Sequence, residues 1–435
     1  VLVGTSAWRH KLKLYSQARA TIEILRRESR YFGPMSLICN SPMASRYTPG
    51  MSGPHDRFPN TEAMLRVCQP REPVYCLFPQ VYAENAARFV AGFPGRVLYA
   101  VKANDHPDVI KAIYDGGVRH FDCASLPEIE RVMSICSDAT CYFMTPVRLR
   151  GAARAAFVDF GTRHVMVDHP NGIELLQQEI DLASAVVFAR MAVSHDSAMI
   201  DLSNRFGAPP GDIPGLLTSI ADTGAEPALA FNVGSSVTSP AAYRHSLEVA
   251  AGVLRALPFP VRLLDVGGGF PRAYPGFEVP PLEDYFAAIR EDTAALPLAT
   301  DAEILAEPGR ALAAPGMSAI AEVCLRKDDR LFLNDGMYGI FWELRFRGHD
   351  RYPCRVFRDG VPLRGDLATF RLFGPTCDSS DELPGDVELP RDVRPGDHIE
   401  FGCIGAYSLA GRTSFNGFHS ERIVTITDSV PPGYA

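Results

Sequence analysis

The chain has 435 residues, enough for two or three domains with ample core. Its 46% hydrophobic and 22% charged residues are ordinary for a water-soluble globular protein. A net charge of −8 without a basic block argues against nucleic acid or an anionic membrane surface as main partner. The apolar stretches are far too short for a membrane span, and Val1-Leu2-Val3-Gly4 lacks a signal-peptide layout. Ten cysteines are scattered with no CxxC pair and no Cys/His cluster, so neither a structural zinc site nor a disulfide framework is expected. The expectation is a cytoplasmic protein with reduced thiols, most of them small buried hydrophobes, and no bound metal.

In chain order, residues 10–32 carry Leu12, Tyr15, Ala18, Ile22 and Leu25 at helical spacing, and 40–60 read as a Pro/Gly/Ser/Met-rich loop. From Pro73 a regular pattern sets in. Strand-like apolar runs recur at 96–101, 119–124, 140–144, 163–168, 184–193, 227–233, 261–266 and 302–306. Amphipathic stretches lie between them, among them 107–115 with Gly116-Gly117 as its stop, 126–135 and 239–256. Eight β runs alternating with helices predict an α/β chain with a (β/α)8 TIM-like barrel. A doubly wound sheet is the alternative. After Gly316 the runs 317–324, 330–334, 369–373, 398–403 and 421–427 are separated by Gly, Pro and Asp turns with little helix. That predicts a mostly antiparallel β domain. The expected division is 1–72, a helix and loop packing with the β domain, then 73–316, the barrel, then 317–435.

Barrel chemistry sits at the C-terminal strand ends. Lys102, in Leu98-Tyr99-Ala100-Val101-Lys102-Ala103-Asn104, ends the first run. A lysine buried there tends to lose its proton, and a neutral amine can form a Schiff base. The plainer alternative is a lysine reaching into solvent. Asp122-Cys123-Ala124-Ser125 ends the second run, Arg190 lies in the fifth, and Asn232-Val233-Gly234-Ser235 ends the sixth. Gly267-Gly268-Gly269 follows the seventh and leaves backbone N–H groups free to cradle a phosphate, unless it is only a tight turn. Arg310 could add a bidentate contact. Glu307, ending the eighth, could face a protonated ring nitrogen of a cofactor or pair with a neighbouring arginine.

Tyr-Ala-Val-Lys-Ala-Asn, Phe-Asp-Cys-Ala-Ser, Asp-Val-Gly-Gly-Gly-Phe-Pro, Glu-Pro-Gly-Arg, Gly-Pro-Thr-Cys-Asp and Gly-Ala-Tyr occur here in that order. As an ordered set, this is similar to the pyridoxal-phosphate decarboxylases of the ornithine/diaminopimelate decarboxylase family, with their alanine-racemase-like, fold type III barrel. The resemblance spans about residues 73–427. It implies that Lys102 carries pyridoxal 5'-phosphate and that Glu307 pairs with its ring nitrogen. It further implies that Ser235, Gly267, Gly268, Gly269, Arg310 and Tyr407 bind the phosphate, while Asp122 and Arg190 line the pocket. Cys377 would come from the partner of a homodimer with shared active sites and reprotonate the substrate carbon, and Asp378 would reach the same site. Asn416-Gly417-Phe418 matches a segment near the dimer interface.

Two departures stand out. The family has a ring-stacking histidine where this chain has Asn232, which cannot stack on an aromatic face. In Asn334-Asp335-Gly336-Met337-Tyr338-Gly339-Ile340-Phe341-Trp342-Glu343-Leu344-Arg345-Phe346-Arg347-Gly348-His349, Arg347 stands where ornithine decarboxylases place an acid for the distal ammonium, with Tyr338, Arg345 and His349 nearby. An arginine repels a diamine and suits a carboxylate or phosphate, unless it is a solvent-facing loop charge. The expected activity is decarboxylation of an amino acid or conjugate with an acidic tail, such as a citryl-diamino acid of siderophore assembly or a meso-diamino diacid. Alternatives are an ornithine/lysine or diaminopimelate decarboxylase, a racemase on the same fold, and a decarboxylase-like regulator.

Overall fold

A computed structural model describes residues 56–347, 351–428, 430–431 and 434. The helix expected over 10–32 and residues 40–55 of the expected loop lie outside the described residues.

Eight parallel strands close into a barrel: β1 (Arg96–Ala100), β2 (His120–Cys123), β3 (Thr140–Phe143), β4 (His164–Val167), β5 (Val186–Met191), β6 (Glu226–Phe231), β7 (Leu263–Asp265) and β8 (Glu303–Ala306). Seven fall inside one of the eight apolar runs, and β6 starts one residue before its run at 227–233. Closure is set by Leu305 opposite Arg96 and Ala306 opposite Val97, which excludes the open, doubly wound sheet. Side chains alternate across a strand. Leu98, Tyr142, Met166, Phe188, Ala228, Ala230 and Leu305 therefore fill the barrel, while Val97, Tyr99, Phe121, Phe143, Val165, Val187 and Leu229 face the surrounding helices. Those helices form where expected, at Pro107–Asp115, Leu126–Ile135 and Ala241–Arg255. The second starts sharply because Ser125 Oγ accepts from Glu128 N and the Glu128 carboxylate accepts from Ala124 N at 2.6 Å.

The floor of the barrel is polar. Arg96 donates to Tyr142 Oη at 2.7 Å and pairs with Glu303, and the His164 ring stacks on Tyr142 at 3.9 Å. His120 lies edge-on to the same tyrosine.

The second body is a mostly antiparallel sheet of ten strands. Met317–Lys327 forms a hairpin with Arg330–Leu333 and also pairs with His398–Phe401. Val74–Leu77, in the stretch counted with the barrel from the sequence, lies instead inside this sheet, antiparallel to Met317–Lys327 and parallel to Ile423–Ile426. All four of its residues are buried, which is equally true of a barrel strand, so composition alone does not separate the two. Asp56 and Phe58 continue the edge: Thr425 N donates to Asp56 O, Thr427 N to Phe58 O. Backbone bonds Tyr407 N to Ala103 O and Gly405 N to Ala314 O, with Asn104 Nδ2 donating to Gly405 O at 2.8 Å, fix the segment after His398–Phe401 against the barrel mouth.

Candidate active site

The two-residue alternation that fills the barrel with apolar side chains continues to its C-terminal rim, and there it delivers chemistry. Inward Leu98 and Ala100 are followed by Lys102, His120 by Asp122, Phe188 by Arg190, Ala228 and Ala230 by Asn232, Leu263 by Asp265, and Leu305 by Glu307. A cavity at this rim is lined by Lys102, Asn232, Ser235, Gly268, Gly269, Glu307, Arg310 and Tyr407, together with Ser236 and Gly309. A larger surface groove runs between 146–151 and 168–179. Its two acids are spent on backbone N–H groups, Asp168 on Gly207 and Glu179 on Gly151, Ala153 and Arg154 at the start of the helix Ala152–Asp159, so we place the chemistry in the smaller cavity.

Lys102 Nζ lies 2.5 Å from Asp122 Oδ2, and Asp122 is fully buried. Burial works to lower the lysine's pKa, but the charges of Asp122 and Glu307 outweigh it and the net shift is upward. The neutral amine expected from burial is thus replaced by a held ammonium. The Lys102 side chain is still 44% exposed toward the mouth, so the carboxylates do the holding rather than a sealed pocket.

Glu307 is raised well above the carboxylate range by burial and by the charges of Asp122 and Asp265, partly offset by Lys102 and Arg190. Asp265 is raised to about 6 by burial, against the hydrogen bond its Oδ1 accepts from Gly267 N at 2.8 Å. Arg190 thereby belongs to the field at Glu307, and its guanidinium rests near the Phe206 ring.

The three glycines do different work. Gly267 spends its N–H on Asp265 and its carbonyl on Glu307 N, so it builds the turn and presents no free N–H to a ligand. Its φ of 73° and the 2.3 Å approach of Phe231 O to any added Cβ require glycine. Gly268 and Gly269 line the cavity. Asn232 Oδ1 accepts from Gly234 N at 3.0 Å, which pins the residue standing in the ring-stacking position onto its own loop. Arg310 Nη1 donates to Glu343 Oε2 at 2.6 Å, and its guanidinium lies 5.0 Å from the Tyr407 ring centroid.

Several buried polar atoms here have no protein partner. Asp122 Oδ1 and Glu307 Oε1 are acceptors or acids around Lys102, while Ser236 Oγ and Arg310 Nε are donors beside the glycine turn and Tyr407. Buried groups left this way are costly. They fit pyridoxal 5'-phosphate: an aldehyde for the Lys102 amine, a protonatable ring nitrogen for Glu307, a phosphate for the donors. Sequence reasoning missed Ser236, Asp265 and Glu343. Asp265 had a signal in its strand-end position, whereas Ser236 and Glu343 had none.

A second cluster sits on the β domain. Tyr338 Oη donates to Asp378 Oδ2 at 2.6 Å, and Arg345 lies 3.9 Å above the Tyr338 ring with its Nε donating to Met337 O. Asp378 falls to about 2, first through the Tyr338 bond, then through Ser380 and the Arg345 charge. Exposed Cys377 has its Sγ 3.7 Å from Asn416 Oδ1. Buried Asp381 accepts from Met337 N and from Thr376 N and Oγ1, which fixes the turn that presents Cys377. Within one chain, Cys377, Asp378, Tyr338 and Arg345 are not among the residues lining the Lys102 cavity. Arg347 ends the short helix Leu344–Arg347, and His349 lies outside the described residues.

Residues 82–314 match the family model for the pyridoxal binding domain of pyridoxal-dependent decarboxylases, and 315–405 match that for their C-terminal sheet domain. An ornithine decarboxylase of Panagrellus redivivus is 30% identical over 367 residues, covering 77% of this chain and 81% of that protein. A lysine/ornithine decarboxylase of Selenomonas ruminantium is 30% identical over 350 residues, covering 78% and 85%. The structure of the Paramecium bursaria Chlorella virus arginine decarboxylase bound to agmatine superposes with a TM-score of 0.74 at 26% identity, covering 83% and 98%.

Proposed function

The chain belongs to the pyridoxal-dependent decarboxylase family, and from that premise we propose that this amino-acid decarboxylase takes a substrate with an acidic distal group. The observation that carries the reading is the state of Asp378. Its Oδ2 already accepts from Tyr338, and the Arg345 guanidinium beside it repels a second cation, which disfavours a distal ammonium there. The helix Leu344–Arg347 lies beside the strand Ala198–Ile200, whose antiparallel partner begins at the cavity residue Ser235. Arg347 at its end would meet a carboxylate tail, while Arg345 serves Asp378. A citryl-diamino acid or a meso-diamino diacid has the required chemistry.

Pyridoxal phosphate, when bound, supplies an electron sink for the pair left on the α-carbon as CO2 departs. Lys102 would hold it through the amine, and Glu307, poised to share a proton, would keep the ring nitrogen charged. Ser235, Ser236, Gly268, Gly269, Arg310 and Tyr407 would hold the phosphate. Asp122 and Arg190 would set the charge around Lys102 and Glu307, and Asn232 would border the ring without stacking. The proton that returns to the α-carbon would come from Cys377 of a second copy, whose thiol lies outside its own chain's cavity. Half-exposed Phe415 and Phe418 flank Asn416 and suit burial against such a copy.

CO2 release from ornithine, lysine, arginine, diaminopimelate, glutamate and a citryl-diaminopropionate conjugate tests the reading. Turnover of an acidic-tailed substrate that is lost in Arg347→Asp supports it. Turnover of ornithine or lysine, with the acidic substrates untouched, refutes it.

A further inference from the structure

We infer that Glu343 is a positioning residue that aims Arg310 at the cofactor's phosphate. This rests on the proposed reading that Arg310 holds that phosphate. Arg310 lies on the short helix Arg310–Ala313 that follows β8, and it is 94% buried. Its Nη1 is bound to Glu343 Oε2, and Glu343 Oε1 in turn accepts from Tyr352 Oη at 2.6 Å. All three side chains are buried, and Arg310 Nη1 also lies 3.5 Å from Tyr274 Oη. The guanidinium is planar, so fixing one nitrogen fixes the direction of the others. Arg310 Nε is left buried and without a partner, on a side chain that lines the cavity beside Gly268 and Gly269.

A carboxylate so close to an anion site works against the anion by charge. Its presence makes sense only if orientation outweighs that cost, because an arginine already held in place loses little freedom when the phosphate arrives. Glu343 immediately precedes the helix Leu344–Arg347, so the phosphate ligand and that helix share one anchor.

The experiment titrates cofactor-free protein with pyridoxal phosphate and with pyridoxal, following absorbance and intrinsic fluorescence. Glu343→Gln is expected to weaken pyridoxal phosphate about tenfold, by analogy with loss of the partner behind a metal ligand, with little change for pyridoxal. Tyr352→Phe, which keeps the ion pair but loosens the carboxylate, is expected to move the ratio the same way by less, and it carries the test if Glu343→Gln does not fold. Equal weakening of both ligands, or unchanged or tighter pyridoxal phosphate binding, overturns the inference. Arg310→Lys is the control: if it leaves the ratio of the two affinities unchanged, the phosphate reading of Arg310 has failed, and the inference with it.

Discussion

Lys102 Nζ stands 2.5 Å from Asp122 Oδ2, and with Glu307 close by the nucleophile is stored as an ammonium. An ammonium cannot attack an aldehyde, so loading of the cofactor has to wait for a proton to leave. Asp122→Asn is expected to move the pH midpoint for the rate of pyridoxal phosphate uptake down by about one pH unit or more, since one opposing charge within hydrogen-bond distance is worth that much. An unmoved midpoint would show that Asp122 does not govern the lysine.

Glu307 is held above the usual carboxylate range by burial and by its acidic neighbours. The cofactor-free protein should therefore show a protonated carboxyl by infrared spectroscopy at a pH where ordinary glutamates are ionised, and Glu307→Gln should remove that band. The same variant should still bind cofactor through Lys102 and the phosphate contacts, while kcat falls on the order of a hundredfold. Unchanged turnover would exclude a role for Glu307 in the chemistry.

His120 and His164 on the barrel floor are each lowered from 6.5 to about 4, chiefly by burial and then by the charge of Arg96. The unfolded chain takes up protons on these rings below about pH 6.5, but the folded chain does so only near pH 4. Stability is accordingly complete above that window and is lost as pH falls through it, on the order of 1 kcal/mol per ring for partly accessible groups. Urea unfolding of the wild type between these limits should be steeper in pH than that of the His120→Gln/His164→Gln double variant. Parallel profiles would place the acid sensitivity elsewhere.

If the thiol comes from a second copy, Lys102→Ala and Cys377→Ala should each be nearly inactive alone and recover about a quarter of wild-type activity after equal mixing and subunit exchange, since random pairing leaves one complete site in half of the dimers. No recovery under conditions where exchange is demonstrated would refute the shared site.

Much of this arrangement is legible in the chain because it is local. Hydrophobic runs mark the eight barrel strands, and the same alternation that puts Leu98 inward puts Lys102 at the rim. The failures are long-range. Glu343 meets Arg310 from 33 residues away, and nothing in Phe341-Trp342-Glu343-Leu344 marks it as a buried acid. Val74-Tyr75-Cys76-Leu77 looks like any buried strand, because its partners are about 240 and 350 residues further on. The lysine's charge is illegible for a related reason: an apolar run signals burial, whereas the carboxylates that override it arrive from the ends of β2 and β8.

The placement of Val74–Leu77 bears on how the molecule can be made and cut. The sheet takes one of its inner strands from before the barrel and the neighbours of that strand from after it. During synthesis the earlier strand must wait, unpaired, until the whole barrel and the later strands have been translated, and such distant pairing is slow. A fragment beginning near residue 317 would emerge with the edges of Met317–Lys327 and Ile423–Ile426 open where Val74–Leu77 belongs, and open edges recruit other chains. Expressed alone, that fragment should aggregate, and a peptide spanning Val74–Leu77 supplied in trans should return it to solution.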